Sequence, residues 1–252
     1  MVDLAVTGAG GIRIIDRAQA LEGLGGCPLL TGVPAADVAA MEQASRWLAV
    51  PANTLVVRRD EPDTAVYFIV SGWVRIFHHE QQSFRVALAE CGPGDLFGDL
   101  AAVDGRPRSA DVETLRDSIL VVCPHEVFLE AVQTHPSLAF AMLNRFAEII
   151  RHSDHLITRL ALYSGVKRVY QELLRLARPE ALGSAIWIIT PVPRHRDLAL
   201  WAGTTTDVVG RALGQLMRNE LLWRRGSALV LADRGRIEAL TEESGEGAGG
   251  KA

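Results

Sequence analysis

Hydrophobic residues in the first half of the chain come in short runs that alternate with turn residues. Five of these runs are rich in β-branched and aromatic side chains, which predicts β-strands at 54–58, 65–70, 74–78, 84–89 and 118–122. Proline, glycine and acidic residues between the runs indicate tight turns. Several short strands at regular spacing predict an antiparallel β-barrel or roll. A helix is predicted ahead of the strands, over residues 34–48.

From Pro124 the hydrophobic period changes to that of a helix, and one long helix is predicted from Pro136 to Tyr163. Its residues include a series spaced alternately four and three apart, as in the seam of a coiled coil: Met142, Phe146, Ile149, Ser153, Leu156, Leu160 and Tyr163. This seam predicts a homodimer. A second stripe recurs every seven residues and is expected to cover the chain's own β-roll: Leu143, Ile150 and Ile157.

Ser153 interrupts the predicted seam and allows two interpretations. One polar residue in a seam can set register and oligomer state at some cost in stability. Alternatively, Ser153 and Asp154 face a ligand held between the β-roll and the dimer helix, and the spacing leaves both interpretations open. His152 and His155 could bind a metal together. Without an evident third ligand, a solvated helix face is the better interpretation, and no metal is predicted.

A helix-turn-helix is predicted in the last third of the chain. After a packed helix over 166–177, helical segments at 196–202 and 205–220 are joined across Gly203-Thr204, with Thr204 as the predicted N-cap. The apolar face of the second segment is expected in the core: Val208, Val209, Ala212, Leu213, Leu216 and Met217. The opposite face fits the major groove of DNA, although an ordinary solvent-exposed face has the same character: Thr206, Asp207, Gly210, Arg211, Gly214 and Arg218.

Positive charge is concentrated near this segment, although the whole chain has a net charge of −4. Residues 190–231 contain six arginines and three acidic residues, a local balance of +3. Two predicted strands, 221–225 and 228–231, flank a turn at Arg225 and indicate a β-wing whose basic tip contacts phosphates. The predicted DNA-binding residues are Arg196, Thr205, Thr206, Asp207, Arg211, Arg218 and Arg225.

Residues 94–110 form the most irregular connection of the predicted β-roll and indicate a binding loop. Gly94 and Gly98 permit tight turns and close approach to a ligand. Arg108 supplies a permanently charged planar fork and Ser109 a hydroxyl, a combination that suits phosphate oxygens. Asp99 does not suit a phosphate but can bind a sugar hydroxyl. The pattern therefore indicates a ligand that carries both phosphate and ribose.

Composition argues against several other classes of protein. Three widely spaced cysteines, Cys27, Cys91 and Cys123, indicate buried thiols and neither a disulfide framework nor a zinc or iron–sulfur cluster. No apolar run reaches the roughly 18 residues of a membrane span, and the N-terminus lacks the basic residues of a signal peptide, so a cytoplasmic location without membrane association is expected. No Ser/His/Asp, Cys/His or paired-carboxylate arrangement is evident, so the protein is not expected to be an enzyme.

The order of the elements and several motifs resemble the catabolite-activator and fumarate-nitrate-regulator (CRP/FNR) superfamily of bacterial transcription factors, from about residue 28 to 240. Phe97-Gly98-Asp99-Leu100 and Arg108-Ser109-Ala110 match the phosphate-binding cassette of that family. The resemblance implies that Arg108 and Ser109 bind a cyclic phosphate and Asp99 the ribose 2′-hydroxyl. The implied ligand-binding residues are Gly98, Asp99, Leu100, Arg108, Ser109, Ser153 and Asp154.

Departures from the family pattern leave the base and the operator undetermined. Asp99 is one methylene shorter than the usual Glu, and Ser153-Asp154 align with a Thr-Ser pair that reads adenine in the cyclic AMP receptor. Because Asp154 only accepts when ionised, cyclic GMP and cyclic di-GMP are candidates beside cyclic AMP. Arg211 matches the family's Val-Gly-Arg motif, whereas Thr206 replaces a guanine-reading Arg and implies an altered operator.

The resemblance also introduces sibling mechanisms. Iron–sulfur sensors of the superfamily need an N-terminal cysteine cluster, and only Cys27 lies in that region. Haem-based gas sensing would need axial ligands, for which His78 and His79 are candidates, but the intact cassette favours a nucleotide. The alternatives are therefore a regulator of the same fold that is nucleotide-independent or senses haem or gas, and a nucleotide-binding module that acts on a protein partner.

The sequence thus predicts an α+β protein with a cyclic-nucleotide-binding antiparallel β-roll (27–135), a long dimerisation helix (136–163) and a C-terminal winged helix-turn-helix (164–240). A flexible arm (1–26) and a disordered tail (241–252) are expected at the ends. The predicted function is a homodimeric transcription regulator that binds a pseudo-palindromic double-stranded DNA operator, with RNA polymerase as a further partner. Nucleotide binding is expected to reorient the recognition helices through the junction at residues 164–165.

Overall fold

The computed structural model describes residues 11–80, 84–181 and 186–242, which divide into two compact units. The first unit contains the chain up to His78 and Ala87–His152. The second contains mainly the chain from Ser153 onward, together with a short segment that includes His79 and Val86. Within the described ranges, no helix combines the length and the apolar character that a membrane crossing requires.

Two antiparallel sheets form the frame of the first unit. Their strands are β1 (Arg13–Ile15), β2 (Arg46–Val50), β3 (Leu55–Val57), β4 (Val66–Ser71), β5 (Val74–Glu80), β6 (Phe84–Cys91), β7 (Leu96–Phe97), β8 (Asp111–Thr114) and β9 (Ser118–Cys123). One sheet has the strand order β1-β2-β9-β4-β7 and the other β3-β8-β5-β6. Leu120 of β9 pairs with Leu48 of β2 on one side and with Ile69 of β4 on the other. The predicted antiparallel β-roll is therefore confirmed.

Helices accompany these strands: α1 (Ala35–Ala44), α2 (Asp99–Asp104), α3 (His125–Thr134) and α4 (Pro136–Leu162). The first five residues of β4 are all buried. Since successive side chains of a strand point to opposite faces, β4 is covered on both faces. Phe68 packs into a core that includes Met41 of α1 and Phe128 of α3. Its neighbour Tyr67 packs into a second core, which contains residues of both sheets. The first sheet is thus covered by helices on one face and by the second sheet on the other.

Two predictions for the N-terminal part of this unit are wrong. Residues 46–48 are not the end of a helix, because α1 ends at Ala44 and Arg46–Val50 form β2. The segment predicted as a flexible arm, 1–26, includes β1, which pairs Ile14 with Leu48 of β2. Leu24 in the same segment is only 1% exposed. From residue 11 onward this segment therefore belongs to the ordered unit, while residues 1–10 lie outside the described part of the chain.

The predicted long helix is present as α4, but the exposure of its two apolar stripes differs from the prediction. Met142 is buried in the core of the first unit, and Phe146 packs against that core. The stripe expected to cover the β-roll is instead exposed: Leu143, Ile150 and Ile157 expose 64%, 61% and 64% of their surface. Phe140, three residues before Leu143, is exposed as well. The exposed apolar face of α4 therefore lies one position along from the predicted seam.

The second unit contains a helix-turn-helix and a small sheet. Its elements are α5 (Gly165–Leu176), β10 (Arg178–Pro179), β11 (Trp187–Ile189), α6 (His195–Ala202), α7 (Thr206–Arg218), β12 (Leu222–Arg225), β13 (Ala228–Leu231) and α8 (Arg234–Glu242). The sheet has the order β10-β11-β13-β12, so β12 and β13 form the predicted wing. Leu173, Leu198 and Leu216 bring α5, α6 and α7 together in one core. The start of the predicted tail, 241–242, belongs to α8, and the remainder lies outside the described residues.

Candidate ligand site and DNA-binding face

A glycine at a point of close contact shapes the predicted binding loop. Gly98 lies between β7 and α2 with a φ of 86°, a backbone conformation that favours glycine. A Cβ atom at this position would lie 2.8 Å from the carbonyl oxygen of Ala65 and would also clash with the Arg108 guanidinium. Glycine is therefore required at this position for two reasons. The short helix α2 begins directly after it, with Asp99 in its first turn.

Arg108 is buried, with 2% of its surface exposed. Its Nη1 donates to the carbonyl of Gly98 at 3.0 Å, and its Nη2 donates to the carbonyl of Ala65 at 2.6 Å and pairs with the Asp63 carboxylate. The guanidinium therefore does not present the open fork that the sequence predicts. Among the described residues, its Nε has no hydrogen-bond partner although it is buried. Buried donors almost always have a hydrogen-bond acceptor in folded proteins, so we expect an acceptor for this nitrogen.

Asp63 holds Arg108 in this orientation, and it was not among the predicted site residues. Its carboxylate accepts hydrogen bonds from the backbone N–H of Ala65 at 3.1 Å and from the Tyr67 hydroxyl at 3.0 Å. Burial disfavours the ionised carboxylate, but the hydrogen bond and the charge of Arg108 outweigh burial and keep the pKa of Asp63 below its ordinary value. Burial raises the pKa of Tyr67, so its hydroxyl stays protonated. Asp63 and Arg108 therefore form an ion pair at neutral pH.

Asp99, the predicted ribose ligand, is paired as well. It is 5% exposed, and its Oδ2 accepts a hydrogen bond from Nε of Arg145 on α4 at 2.8 Å. Nη2 of Arg145 donates to the carbonyl of Leu96 at 2.6 Å. Burial alone would lower the pKa of Arg145, but the adjacent Asp99 carboxylate raises it. Sequence reasoning missed Arg145 because 46 residues separate it from its partner.

The other predicted residues of the cassette are accessible. Ser109 is exposed, and its carbonyl accepts a hydrogen bond from Nε2 of His78 at 2.8 Å, which occupies one ring nitrogen of this candidate haem ligand. Leu100 is 42% exposed. In the described ranges, no group of three or more His, Cys, Asp and Glu side chains is arranged to hold a metal. The three cysteines are buried free thiols, as predicted.

Ser153 and Asp154 are both exposed on α4. Asp154 continues the exposed apolar stripe, because it lies four residues after Ile150 and three before Ile157. Both residues belong to the second unit, whereas the cassette belongs to the first. Their contact with a ligand stays a prediction.

Helix α7 presents the predicted DNA-binding face. Its N-cap is Thr205, whose hydroxyl accepts a hydrogen bond from the Val208 N–H at 3.4 Å. The predicted cap at Thr204 is wrong by one residue, because α7 begins at Thr206. Of the predicted core residues, Met217 is 42% exposed. Four others are buried as predicted: Val209, Ala212, Leu213 and Leu216. Gly214 of the predicted DNA-binding face is half-buried. The other five residues of that face are exposed: Thr206, Asp207, Gly210, Arg211 and Arg218.

Two predicted DNA contacts lie outside α7. Arg196 is exposed in the first turn of α6, with a carboxylate oxygen of Asp197 3.8 Å from its Nε. Arg225 lies at the end of β12 and forms an ion pair with Glu180. The charge at the tip of the wing is therefore partly offset, which the sequence did not indicate. The contribution of both arginines to DNA binding stays a prediction.

Arg168, which sequence reasoning also missed, joins three segments of the second unit. From α5 its guanidinium donates to the carbonyl oxygens of Tyr163 at 2.6 Å, Ala202 at 2.7 Å and Gly203 at 2.8 Å. Burial and the charge of Arg159 lower the pKa of Arg168. Through these contacts Arg168 links the residue that follows α4 to the turn between α6 and α7.

Comparison with known protein families first defines a class of domain. Residues 47–135 match the cyclic nucleotide-binding domain. The matched range includes the whole cassette, with Asp99 and Arg108, and also Asp63. The first unit therefore contains a domain of the cyclic-nucleotide-binding class.

Similarity to whole proteins extends over most of the chain. The cyclic AMP receptor protein of Thermus thermophilus is 30% identical over 219 residues, which cover 86% of this chain and 96% of the relative. The structure of CLP, a c-di-GMP responsive global regulator of Xanthomonas campestris, is similar with a TM-score of 0.65 at 23% identity, covering 79% of this chain and 99% of CLP. A Crp/Fnr-family protein of Eubacterium rectale gives a TM-score of 0.68 at 17% identity, covering 87% and 100%. The chain belongs to the CRP/FNR family of transcription regulators, as its motifs implied.

Proposed function

We propose that this regulator is a homodimer whose binding to DNA is controlled by a cyclic nucleotide in the first unit. One observation carries the proposal. The buried Nε of Arg108 has no partner among the described residues, in a loop where the neighbouring Ser109 is exposed. A phosphate oxygen is the acceptor that satisfies such a charged donor. The buried carboxylate of Asp99 in the same loop suits a ribose hydroxyl.

In this proposal each part of the nucleotide has its own contact. The cyclic phosphate accepts hydrogen bonds from Arg108 Nε and from the Ser109 hydroxyl. Because Oδ2 of Asp99 already accepts from Arg145, we assign the ribose 2′-hydroxyl to Oδ1 of Asp99. The base faces Ser153 and Asp154, which are exposed on α4. The protein residues bind and orient the ligand, and no catalytic step is proposed.

Three ligands are candidates: cyclic AMP, cyclic GMP and cyclic di-GMP. The Thermus thermophilus relative is named as a receptor of the first, and CLP as a responder to the last. The carboxylate of Asp154 suits the N1–H and amino group of guanine, because both are donors. This feature favours a guanine nucleotide but leaves cyclic AMP as a candidate.

Titration calorimetry with the three nucleotides tests the ligand. Arg108→Ala should abolish the heat that wild type gives, because it removes the charged donor to the phosphate. Arg106→Ala is the matched control, since this arginine lies in the same loop with 84% of its side chain exposed and should leave affinity unchanged. No heat with any of the three, combined with a Soret band in the purified protein, would favour the haem-sensing alternative.

The exposed stripe of α4 supports dimerisation. Leu143, Ile150 and Ile157 are spaced by seven residues and are largely exposed in the single chain. Apolar side chains at heptad spacing on a 27-residue helix fit a coiled coil with a second copy of the same helix. We therefore assign the dimer seam to this stripe instead of the predicted one that runs from Met142 to Tyr163.

The exposed face of α7 supports recognition of double-stranded DNA. Arg211 on this face can pair bidentately with guanine, and Asp207 can accept from cytosine. Operator selection followed by fluorescence anisotropy at several salt concentrations tests this role. Arg211→Ala should cost about 1–3 kcal/mol on the selected sequence and little on random DNA. Arg236→Ala, at an exposed position of α8, serves as control. Weak binding without sequence preference would instead favour action on a protein partner.

A further inference from the structure

Asp63 makes no proposed contact with the nucleotide, yet it occupies the arginine on which phosphate binding depends. We propose that Asp63 determines which phosphate the site accepts. By restraining Arg108, it makes the site bind a singly charged phosphodiester and reject a doubly charged phosphomonoester. The inference rests on the proposed function, because it concerns the same nucleotide site.

The geometry of Arg108 carries the first step. An arginine binds phosphate bidentately either through Nε and Nη2 or through Nη1 and Nη2, so Nη2 takes part in both arrangements. The two hydrogens of Nη2 are directed to Asp63 and to the carbonyl of Ala65, and Nη1 donates to Gly98. Neither bidentate arrangement is therefore available. Nε is left to make a one-point contact with a single phosphate oxygen.

The surroundings of Asp63 keep it in place. Its carboxylate accepts from the Ala65 N–H and from the Tyr67 hydroxyl. The Tyr67 ring stacks on Phe97 with centroids 4.8 Å apart and lies 5.3 Å from the Arg108 guanidinium carbon. These contacts hold the Tyr67 ring, and with it the hydroxyl that donates to Asp63. Arg108 therefore stays restrained when a ligand arrives.

Charge provides the second step. Asp63 offsets Arg108, and Asp99 offsets Arg145, so the four buried or half-buried charged side chains of these two pairs sum to zero. A cyclic diester brings one negative charge. A monoester carries between −1.5 and −2 near pH 7, and its additional charge would find no unpaired cation in these pairs. Asp63, whose side chain is only 18% exposed, would also repel that charge.

Competition binding tests the proposal. A fluorescent cyclic nucleotide is displaced from the full-length protein by unlabelled cyclic AMP or by 5′-AMP, and the ratio of the two affinities is compared between variants. Asp63→Asn should raise the affinity for 5′-AMP relative to cyclic AMP by at least about tenfold, the usual effect of one charge-assisted contact. Asp60→Asn is the control, since its side chain is 82% exposed and Asn tolerates the positive φ of 66° at this position. It should leave the ratio unchanged.

A second measurement uses wild type alone, so the proposal does not depend on the folding of a variant. The second phosphate pKa of 5′-AMP is about 6, so the monoester loses its extra charge as the pH falls from 7.5 to 5.5. The preference for cyclic AMP over 5′-AMP should therefore fall over this range. His78, whose Nε2 contacts the Ser109 carbonyl, is present for both ligands, so comparing the two affinities as a ratio limits its influence.

The outcomes separate this inference from the proposed function. A ratio that stays within twofold of wild type in Asp63→Asn, or that does not change with pH, overturns the role of Asp63 while leaving nucleotide binding intact. A third result is that Asp63→Asn binds neither cyclic AMP nor 5′-AMP while the affinity ratio of wild type does not change with pH. That result likewise reduces Asp63 to a structural role. Wild-type protein that binds no cyclic nucleotide overturns the proposed function and this inference together.

Discussion

The ion pair between Asp99 and Arg145 predicts a measurable coupling free energy in the candidate ligand site. The proposed perturbation is a double-mutant cycle with Asp99→Asn, Arg145→Met and the double variant. The paired atoms are 2.8 Å apart, and the two side chains are 7% and 22% exposed. A charge-assisted hydrogen bond in such a setting contributes about 1.5–3 kcal/mol. This range is the coupling free energy that we expect from the cycle.

The single variants should differ in a defined order. Arg145→Met leaves a buried carboxylate without its counter-charge and also leaves the Leu96 carbonyl without a donor, so it should cost about 3 kcal/mol, the lower end for a broken buried pair. The lower end applies because water reaches part of the Arg145 side chain. Asp99→Asn preserves shape and should cost about 1–2 kcal/mol. The double variant should be clearly more stable than the sum of the two losses indicates.

Urea denaturation followed by circular dichroism measures these free energies of unfolding. Hydrogen exchange of residues 94–110 then shows whether the loss of stability is located in the cassette. Arg151→Met is the matched control, because Arg151 lies on the same helix and is exposed, and it should change stability by less than about 0.5 kcal/mol. If the two losses add to within about 0.5 kcal/mol, the residues are not coupled and the reasoning fails.

Three further predictions concern the rest of the chain. Arg168→Met removes three contacts to carbonyls and should destabilise the second unit by about 2–3 kcal/mol in thermal denaturation; an unchanged midpoint would contradict the linking role. Ile150→Asp should convert the dimer to monomer in analytical ultracentrifugation, and a dimer that persists would place the seam elsewhere. The pKa of Asp63 is lowered on folding, so its ion pair stabilises the protein fully above the ordinary carboxyl pKa of 3.8 and less as the pH falls below it. The stability advantage of wild type over Asp63→Asn, about 2 kcal/mol at pH 7, should therefore shrink as the pH falls below 3.8 in urea denaturation, and a constant difference would refute the assignment.

Strands were predictable where their length allowed a pattern to form. β4 and β5 have six and seven residues, and their β-branched and aromatic composition is visible in the sequence. β7 has two residues and β1 three, too few for any periodicity to appear. β2 was taken for the end of α1 because the two elements are separated by Ser45 alone, with no glycine or proline to mark the boundary.

The candidate site was predictable only in part. Arg108, Ser109 and Asp99 lie in one short stretch, so a local pattern with a family resemblance could identify them. Asp63 and Arg145 are 45 and 46 residues from their partners, and only the folded chain brings each pair together. The predicted seam of α4 and the exposed stripe differ by one position, and both recur every seven residues, so periodicity alone does not separate them. The burial of Met142 against the β-roll appears only in the folded chain, and it is the reason for proposing the exposed stripe as the seam.

The three carbonyl contacts of Arg168 bear on where the protein can bend. The same guanidinium donates to Tyr163, the residue after α4, and to the turn at 202–203, so Arg168 bridges these two segments. The junction at residues 164–165, through which the sequence predicts reorientation of the recognition helix, lies between these contacts. A pivot at this junction would therefore have to break hydrogen bonds of Arg168. The contacts of one arginine, and not the glycine alone, would then set how freely this link bends.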